Sequence, residues 1–401
     1  MNRIKTATSS KRILAIDILR GITIAGMTMV NNPGSWGHIY APLRHAQWNG
    51  LTPTDLVFPF FMFIMGISTY ISLKKYDFTF SRAAALKIIR RTAVIFLIGL
   101  GLGWFGSFCF YWASPTEGIG FWAQLGESVW TFDHIRILGV MQRLALCYCA
   151  AALVALTMKH SCIPWLIVAL LVGYTVLLAL GNGFVYGEEN ILSKVDRAIL
   201  TPAHMYRDNG IEPEGILSTI PAIAHVLIGF CVARIMLGGK PQAAGDVPAE
   251  RRHDQKLIAL FLVGVILTFA GLLLSYGCPI NKKVWSPTFV LATCGFGSSL
   301  LALLIWIIDV KGCKKWSMFF EAFGVNPLFM YVLGNVLSVL FDAISLPWGD
   351  GSVSIHGLLY DVTLQPLFGN TGGSLAYALV FIAINWVIGY QLYKRRIYIK
   401  I

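Results

Sequence analysis

"ILAIDILRGITIAGMTMVNNPGSWGHIYAPLRHAQWNGLTPTDLVFPFFMFIMG", residues 13–66, is the stretch on which the fold turns. Two long apolar runs flank a polar and aromatic loop. The first run carries an acid and a base, Asp17 and Arg20, and the loop carries Asn31, Asn32, His45 and Asn49. Lipid-facing helices do not keep such residues for packing, so the chemistry is expected in this hairpin. Asp17, Arg20, Ile24, Met27 and Asn31 recur at spacings of three and four, which places them on one helical face. The rise from Asp17 to Asn31 is about 21 Å at roughly 1.5 Å per residue. One face therefore joins a charged pair at one end to an amide at the other. Each intramembrane charge costs about 2.5–3.5 kcal/mol on insertion scales and usually faces a bundle interior or a cavity. The plainer alternative is a pair that neutralises itself and pins helix packing.

The rest of the chain has the composition of a membrane protein. Hydrophobic residues make up 56% and charged residues 13%, against about 25% charged in a soluble domain; mean hydropathy is +0.66. No removable signal peptide is read, because the first apolar run holds Asp17 and Arg20 and leads directly into the hairpin. The net charge of +12 does not point to nucleic acid, since the basic residues sit in short loops beside apolar runs. The eight cysteines fall mostly inside those runs without paired metal-ligand spacing. They read as small packing residues, and no metal site is expected.

A crossing helix takes about 20 apolar residues. Ten segments qualify, at 13–31, 52–73, 86–111, 135–158, 162–181, 216–237, 257–276, 286–309, 317–341 and 372–393. The expected fold is all-α, a polytopic bundle of about ten transmembrane helices forming one domain over 1–401. Two helix groups, 1–237 and 257–401, are joined by a linker at 238–256. Alternate loops carry 22 lysines and arginines on one side, among them Arg3, Lys5, Lys11 and Arg12, and 6 on the other. The positive-inside rule then puts both termini and the linker in the cytoplasm and the His45 loop outside. Thr52, Pro53 and Asp55 form a helix start, which accounts for Asp55 as a cap.

His45 is the side chain suited to exchanging a proton near neutral pH. It shares its loop with Asn31, Asn32, Trp36, Trp48 and Asn49, although the tryptophans also fit an interfacial aromatic belt. Arg143 lies in mid-span with no carboxylate near it in sequence, so it needs a partner from another helix or a ligand anion. Glu214 and Lys283 lie at span ends, where solvated caps are the plain reading. His225 lies in the sixth span as a buried hydrogen-bonding group.

"DILRG", "MVNNPGSW", "RHAQWNGLTPTDLVFPFFMFIMG", "RILGVMQRLAL", "EPEGILSTI", "PINKKVWSPTFV" and "NPLFMYVLGN" occur in the order seen in the transmembrane acyltransferase family. That family includes the lysosomal heparan-alpha-glucosaminide N-acetyltransferase and bacterial YeiB-like and NagX-like members. The chain resembles it over nearly its whole length, most specifically in "HAQWNGLTPTDLVFP", and looks like the bacterial core without the lysosomal enzyme's lumenal region and extra span. The resemblance implies acetyl transfer from cytoplasmic acetyl-CoA to a glucosamine-type amine on the outer side of a bacterial inner membrane. It places the family's histidine and asparagine on His45 and Asn31 as catalytic residues, and homodimers are expected because such relatives often pair. Arg20, Arg143, Asp17 and Lys283 are expected near the donor along a polar shaft, and Asn32, Trp48, Asn49 and Glu214 near the acceptor. The competing expectation is an N-acetylglucosamine transporter, since midplane charges also suit transport.

Overall fold

A computed structural model describes residues 13–114, 118–238 and 249–399. Arg3, Lys5, Lys11, Arg12 and linker positions 239–248 lie outside the described residues. The long helices are α1 (Leu14–Val30), α2 (Val57–Leu73) and α3 (Arg82–Ala113), then, after the short α4 (Phe121–Val129), α5 (Val140–Thr157) and α6 (Ile163–Leu180). The amphipathic α7 (Ile191–Leu200) precedes α8 (Thr219–Leu237), α9 (Ala249–Leu274) and α10 (Pro287–Ile305). The C-terminal part comprises α11 (Met318–Gly324), α12 (Pro327–Ala343), a hairpin β1 (Ser345–Trp348) and β2 (Gly351–Ser354), the single turn α13 (Ile355–Gly357) and α14 (Gln365–Lys394). The linker expected over 238–256 is thus already helical from Ala249.

Among the described residues, eight helices are long and apolar enough to cross a membrane, or nine if α11 and α12 count as one bent span. With 17 residues, α1 is shorter than the about 20 a full crossing takes. The outer helices α3 and α9 show apolar side chains to the surroundings, among them Leu86, Ile89, Leu97, Phe261, Ile266 and Leu273. Apolar faces turned outward with polar groups turned inward mark an integral membrane bundle.

The segment expected as one span at 317–341 is broken, with α11 and α12 meeting at 87°. Pro327 disfavours helical backbone at the preceding residue, and Asn326 sits at φ −124, ψ 58. The Asn326 side chain then ties the corner to the chain's end, donating to the Ile397 carbonyl and accepting from the Ile399 N–H, both at 2.8 Å.

Close helix crossings are built on small residues, as expected where lipid supplies no hydrophobic drive between helices. A Cβ on Gly66 of α2 would stand 2.0 Å from the Val226 carbonyl oxygen of α8, and one on Gly229 of α8 would stand 2.1 Å from that of Phe63. The crossing of α1 with α11 is equally tight, at Gly21 and Gly324. Asp17 and Arg20 belong to this packing. Arg20 Nη1 lies 3.1 Å from Asp17 Oδ1 and 3.4 Å from the Gly324 carbonyl, and Nη2 donates to Ser68 Oγ at 2.9 Å. Gly66→Ala or Gly229→Ala is expected to cost at least the roughly 1–3 kcal/mol of an overpacked core. The checks are a lower Tm and loss of the monodisperse peak in detergent, with Gly101→Ala, where a Cβ meets nothing within 4 Å, unchanged.

Candidate active site

Asn31 ends α1, its N–H held by the Met27 carbonyl at 3.1 Å. The chain then loops out and returns at the 3-10 turn Pro53–Leu56 that opens α2. Asp55 stands in that turn, fully buried. Its Oδ2 accepts from the Ala46 N–H at 3.0 Å, the Thr52 N–H at 3.1 Å and Thr52 Oγ1 at 2.9 Å. Its Oδ1 lies 2.7 Å from His45 Nδ1. An ionised carboxylate is acceptor-only, so Nδ1 carries the proton it donates there, and in the neutral ring Nε2 keeps the lone pair. His45 is half-exposed, its side chain 42% accessible. A buried acid holding an accessible imidazole in one tautomer is the arrangement of a general base.

Three other segments close around this dyad. The 275–286 loop is pinned to the His45 loop, with the Gly50 N–H donating to the Ile280 carbonyl at 2.8 Å and Asn281 Nδ2 to Asn49 Oδ1 at 3.1 Å. It carries Lys282, whose Nζ lies 3.0 Å from His45 Nδ1, 3.5 Å from His45 Nε2 and 3.5 Å from Asp55 Oδ1. Burial pushes the Lys282 ammonium below the ordinary lysine range, against the opposing pull of Asp55 and Glu214. Lys283 pairs with Asp208 at 2.7 Å and lies over the Tyr186 ring. Ahead of α5, Arg136 bridges the buried Glu212 and Glu214, with Nε 3.1 Å from Glu212 Oε2 and Nη2 2.5 Å from Glu214 Oε2.

Together these segments enclose a cavity of about 450 Å³ lined by Asn31, His45, Asp55, Arg136, Tyr206, Asp208, Glu214, Lys282, Lys283 and Tyr331. Its apolar floor is Met27, Val30, Val57, Phe58 and Val140. Three acids face Arg136, two lysines and His45 in this lining, so the wall presents both signs. Among the described residues the Asn31 side-chain amide has no hydrogen-bond partner, so it is available to a ligand.

Of the residues singled out from sequence, His45, Asn31, Glu214 and Lys283 are brought together here. Asn32 lines a smaller adjoining space. Trp48 lies behind the wall, donating to the Phe184 carbonyl at 2.8 Å, and Asn49 is spent on Asn281. Arg143 is fully buried below the floor. It donates to Ser218 Oγ and, at 3.2 Å, to the Gly215 carbonyl, and lies 5.1 Å from the Trp285 ring. It has neutral partners from other segments and does not reach the cavity. Asp17 and Arg20 are likewise engaged in packing away from it. Of the polar shaft expected between Arg20 and His45, the described cavity covers the His45 end; Met27 is the innermost α1 residue in its lining, and Arg20 and Asp17 do not line it. His225 is fully buried, with its ring 5.8 Å from that of Trp285.

Asp55, Arg136, Lys282, Tyr206, Asp208 and Tyr331 were not singled out as site residues. Asp55 was legible in part, because a capping carboxylate spends one oxygen on the helix start and has a second to give. Arg136 and the Glu212–Glu214 pair carry opposite charges at the edges of apolar runs, a weaker signal.

A family model described as "Heparan-alpha-glucosaminide N-acetyltransferase, catalytic" matches residues 12–265. The mouse heparan-alpha-glucosaminide N-acetyltransferase is similar at 26% identity, over 98% of this chain and 61% of the mouse protein. The human protein of that name is similar at 29% identity, over 82% of this chain and 54% of the human protein. The chain therefore spans a little over half the length of these relatives.

The segment carrying Glu214 is held from behind by Asp196 of α7, whose Oδ1 accepts from the Ile216 N–H at 2.8 Å. Burial, with Glu212 adding to it, pushes the Asp196 carboxyl up to about 6. Between its ordinary range and that value the folded protein binds a proton that the unfolded chain has released. Stability contributed by this group therefore falls as pH rises through the window and stays lower above it. Asp196→Asn is expected to remove that fall, so that the Tm difference, variant minus wild type, grows between about pH 4 and about pH 6 and then levels.

Proposed function

Because the chain belongs to the family of the heparan-alpha-glucosaminide N-acetyltransferase catalytic region, we propose that it is a membrane-embedded acyltransferase. In this reading it moves an acetyl group from cytoplasmic acetyl-CoA to the amino group of a glucosamine-type sugar on the other face of a bacterial inner membrane. Both termini lie on the cytoplasmic side, and the chain pairs as a homodimer. The observation that carries the reading is the His45–Asp55 contact of 2.7 Å opening on the same cavity as the unpartnered Asn31 amide.

His45 Nε2 takes a proton from the attacking amine as nitrogen bonds to the acetyl carbon. Asn31 Nδ2 donates to the carbonyl oxygen as its charge develops. When the carbon–sulfur bond breaks, His45 returns the proton to the departing thiolate. Asp55 holds the imidazole in the tautomer this requires and stabilises its protonated form. Lys282, close to both, steadies the carboxylate's charge. Glu214 and Asp208 offer negative charge to an incoming ammonium, and Lys283 is the donor-contact candidate with access to the cavity. Arg143, Asp17 and Arg20 position helices and loops instead. The scheme is a direct transfer in a ternary complex, which asks only for proton exchange from His45.

Purified protein incubated with labelled acetyl-CoA and glucosamine should give labelled N-acetylglucosamine, and His45→Ala should give none. Asn31→Ala should lower kcat by roughly a hundred- to a thousandfold, and Asp55→Asn by roughly two to four orders of magnitude. Uptake of N-acetylglucosamine into liposomes without acetyl-CoA, with no acetylated product, would overturn the reading in favour of transport. A stable acetyl-His45 formed with acetyl-CoA alone would replace the ternary complex by a two-step transfer.

A further inference from the structure

Beyond Asn31 the charged cavity adjoins a second space of about 110 Å³ between α1 and α12. Met27, Asn31 and Tyr331 line both. The lining of the annex holds no carboxylate and no basic side chain; its polar groups are Thr28, Asn31, Asn32, Tyr331, Asn335 and Ser338. Asn32 Nδ2 donates to the Thr28 carbonyl at 2.7 Å and Asn335 Nδ2 to the Tyr331 carbonyl at 2.8 Å. A backbone carbonyl can only accept, so these bonds fix which end of each amide is nitrogen. Both side chains spend N–H on their own helix and keep a carbonyl oxygen in hand.

A third amide stands behind the wall. Asn385 of α14 is fully buried and gives its Nδ2 to the Phe381 carbonyl at 2.8 Å. Its Oδ1 has no hydrogen-bond partner. That oxygen lies 3.7 Å from where a Cβ on Gly334 would stand, as does Thr28 Oγ1, and Gly334 lines the annex. Asn385 is not itself in the lining; the missing side chain at Gly334 leaves open room between the annex wall and this orphan acceptor. Buried acceptors without donors are costly and call for an explanation.

We propose that the annex is a subsite for a neutral secondary amide. Such a group brings one N–H to the waiting carbonyl oxygens and one carbonyl to the Ser338 hydroxyl. It carries no charge that a lining without ionised side chains would fail to balance. The volume suits one small group of this kind. The inference rests on the acetyl-transfer reading for the identity of the ligand, where two sources of such an amide are at hand. One is the arm that links coenzyme A's sulfur to its nucleotide, which carries two; the other is the acetamide of the N-acetylated product.

The test is equilibrium binding in detergent, which needs no turnover. Wild type is compared with Asn385→Leu, a near-isostere that removes the orphan oxygen, and with Gly334→Ala, which narrows the space where the nearest contact is 3.7 Å. Each is titrated with coenzyme A against adenosine 3′,5′-diphosphate, which lacks the arm, and with N-acetylglucosamine against glucosamine. If the donor's arm is the occupant, both variants weaken coenzyme A by about five- to tenfold, the loss of one neutral hydrogen bond, and leave the diphosphate unchanged. If the product's acetamide is the occupant, the same loss falls on N-acetylglucosamine and spares glucosamine. The proposal is overturned if the amide-free member of each pair weakens as much as its partner, if all four are unaffected, or if neither amide-bearing ligand binds wild type. An unchanged Tm for Asn385→Leu separates loss of the subsite from misfolding. Binding that follows the amide while no acetyl transfer is seen keeps the subsite and rejects the activity.

Discussion

The site depends on one buried carboxylate. Asp55 accepts from the Ala46 and Thr52 N–H groups on Oδ2 and from His45 on Oδ1, with the Thr52 hydroxyl shared between Oδ2 and the Arg44 carbonyl. Hydrogen bonds to a charged group contribute about 1.5–3 kcal/mol each, and together with Lys282 nearby they offset the cost of holding the charge away from water. The same atoms that start α2 therefore set the imidazole. The loop between Asn31 and Asp55 has little regular structure of its own, yet its histidine inherits the position of a helix terminus. Rigid support of this sort is what keeps a proton-transferring group in register.

Around that anchor the bundle separates two uses of charge. In the cavity, acids and bases from separate segments face one another, which fixes dipoles in a partly water-excluded space, where they act more strongly than in water. Below and behind it, charges serve packing. Asp17 and Arg20 sit where α1 and α11 touch backbone to backbone, so the pair locks a crossing that already excludes larger side chains. Both patterns satisfy the rule that intramembrane charge is paired or faces a cavity, but only the first offers a ligand anything.

The helices were legible because apolar length is a local property, and so were His45 and Asn31, which stand out as polar residues between two apolar runs. The break at Asn326 was written in the sequence as Asn-Pro, though hidden inside a continuously apolar stretch. The cavity wall was not legible as a unit. Its members come from 27–58, 136–140, 206–214, 282–283 and Tyr331, and nothing local says that these loops converge. Trp48 and Asn49 show the converse, since polar and aromatic neighbours of a candidate residue can be spent on fastening its loop. Between the adjacent Lys282 and Lys283, only contacts across the bundle decide which one reaches the histidine.

Arg143 shows how far such a contact carries. A fully buried guanidinium in the first turn of α5, with Nε and Nη1 unpartnered, is too costly to be incidental. Its two acceptors, Gly215 and Ser218, follow directly on Glu214, and its aromatic neighbour, Trp285, follows on Lys282 and Lys283. One side chain under the floor thus grips the two segments that supply the acid and the bases above it. Trp285 also meets the ring of Phe58, a floor residue of α2, at 5.3 Å. The charge that resembles a ligand site in the sequence is better understood as the tie that holds the walls of the real cavity at a fixed separation.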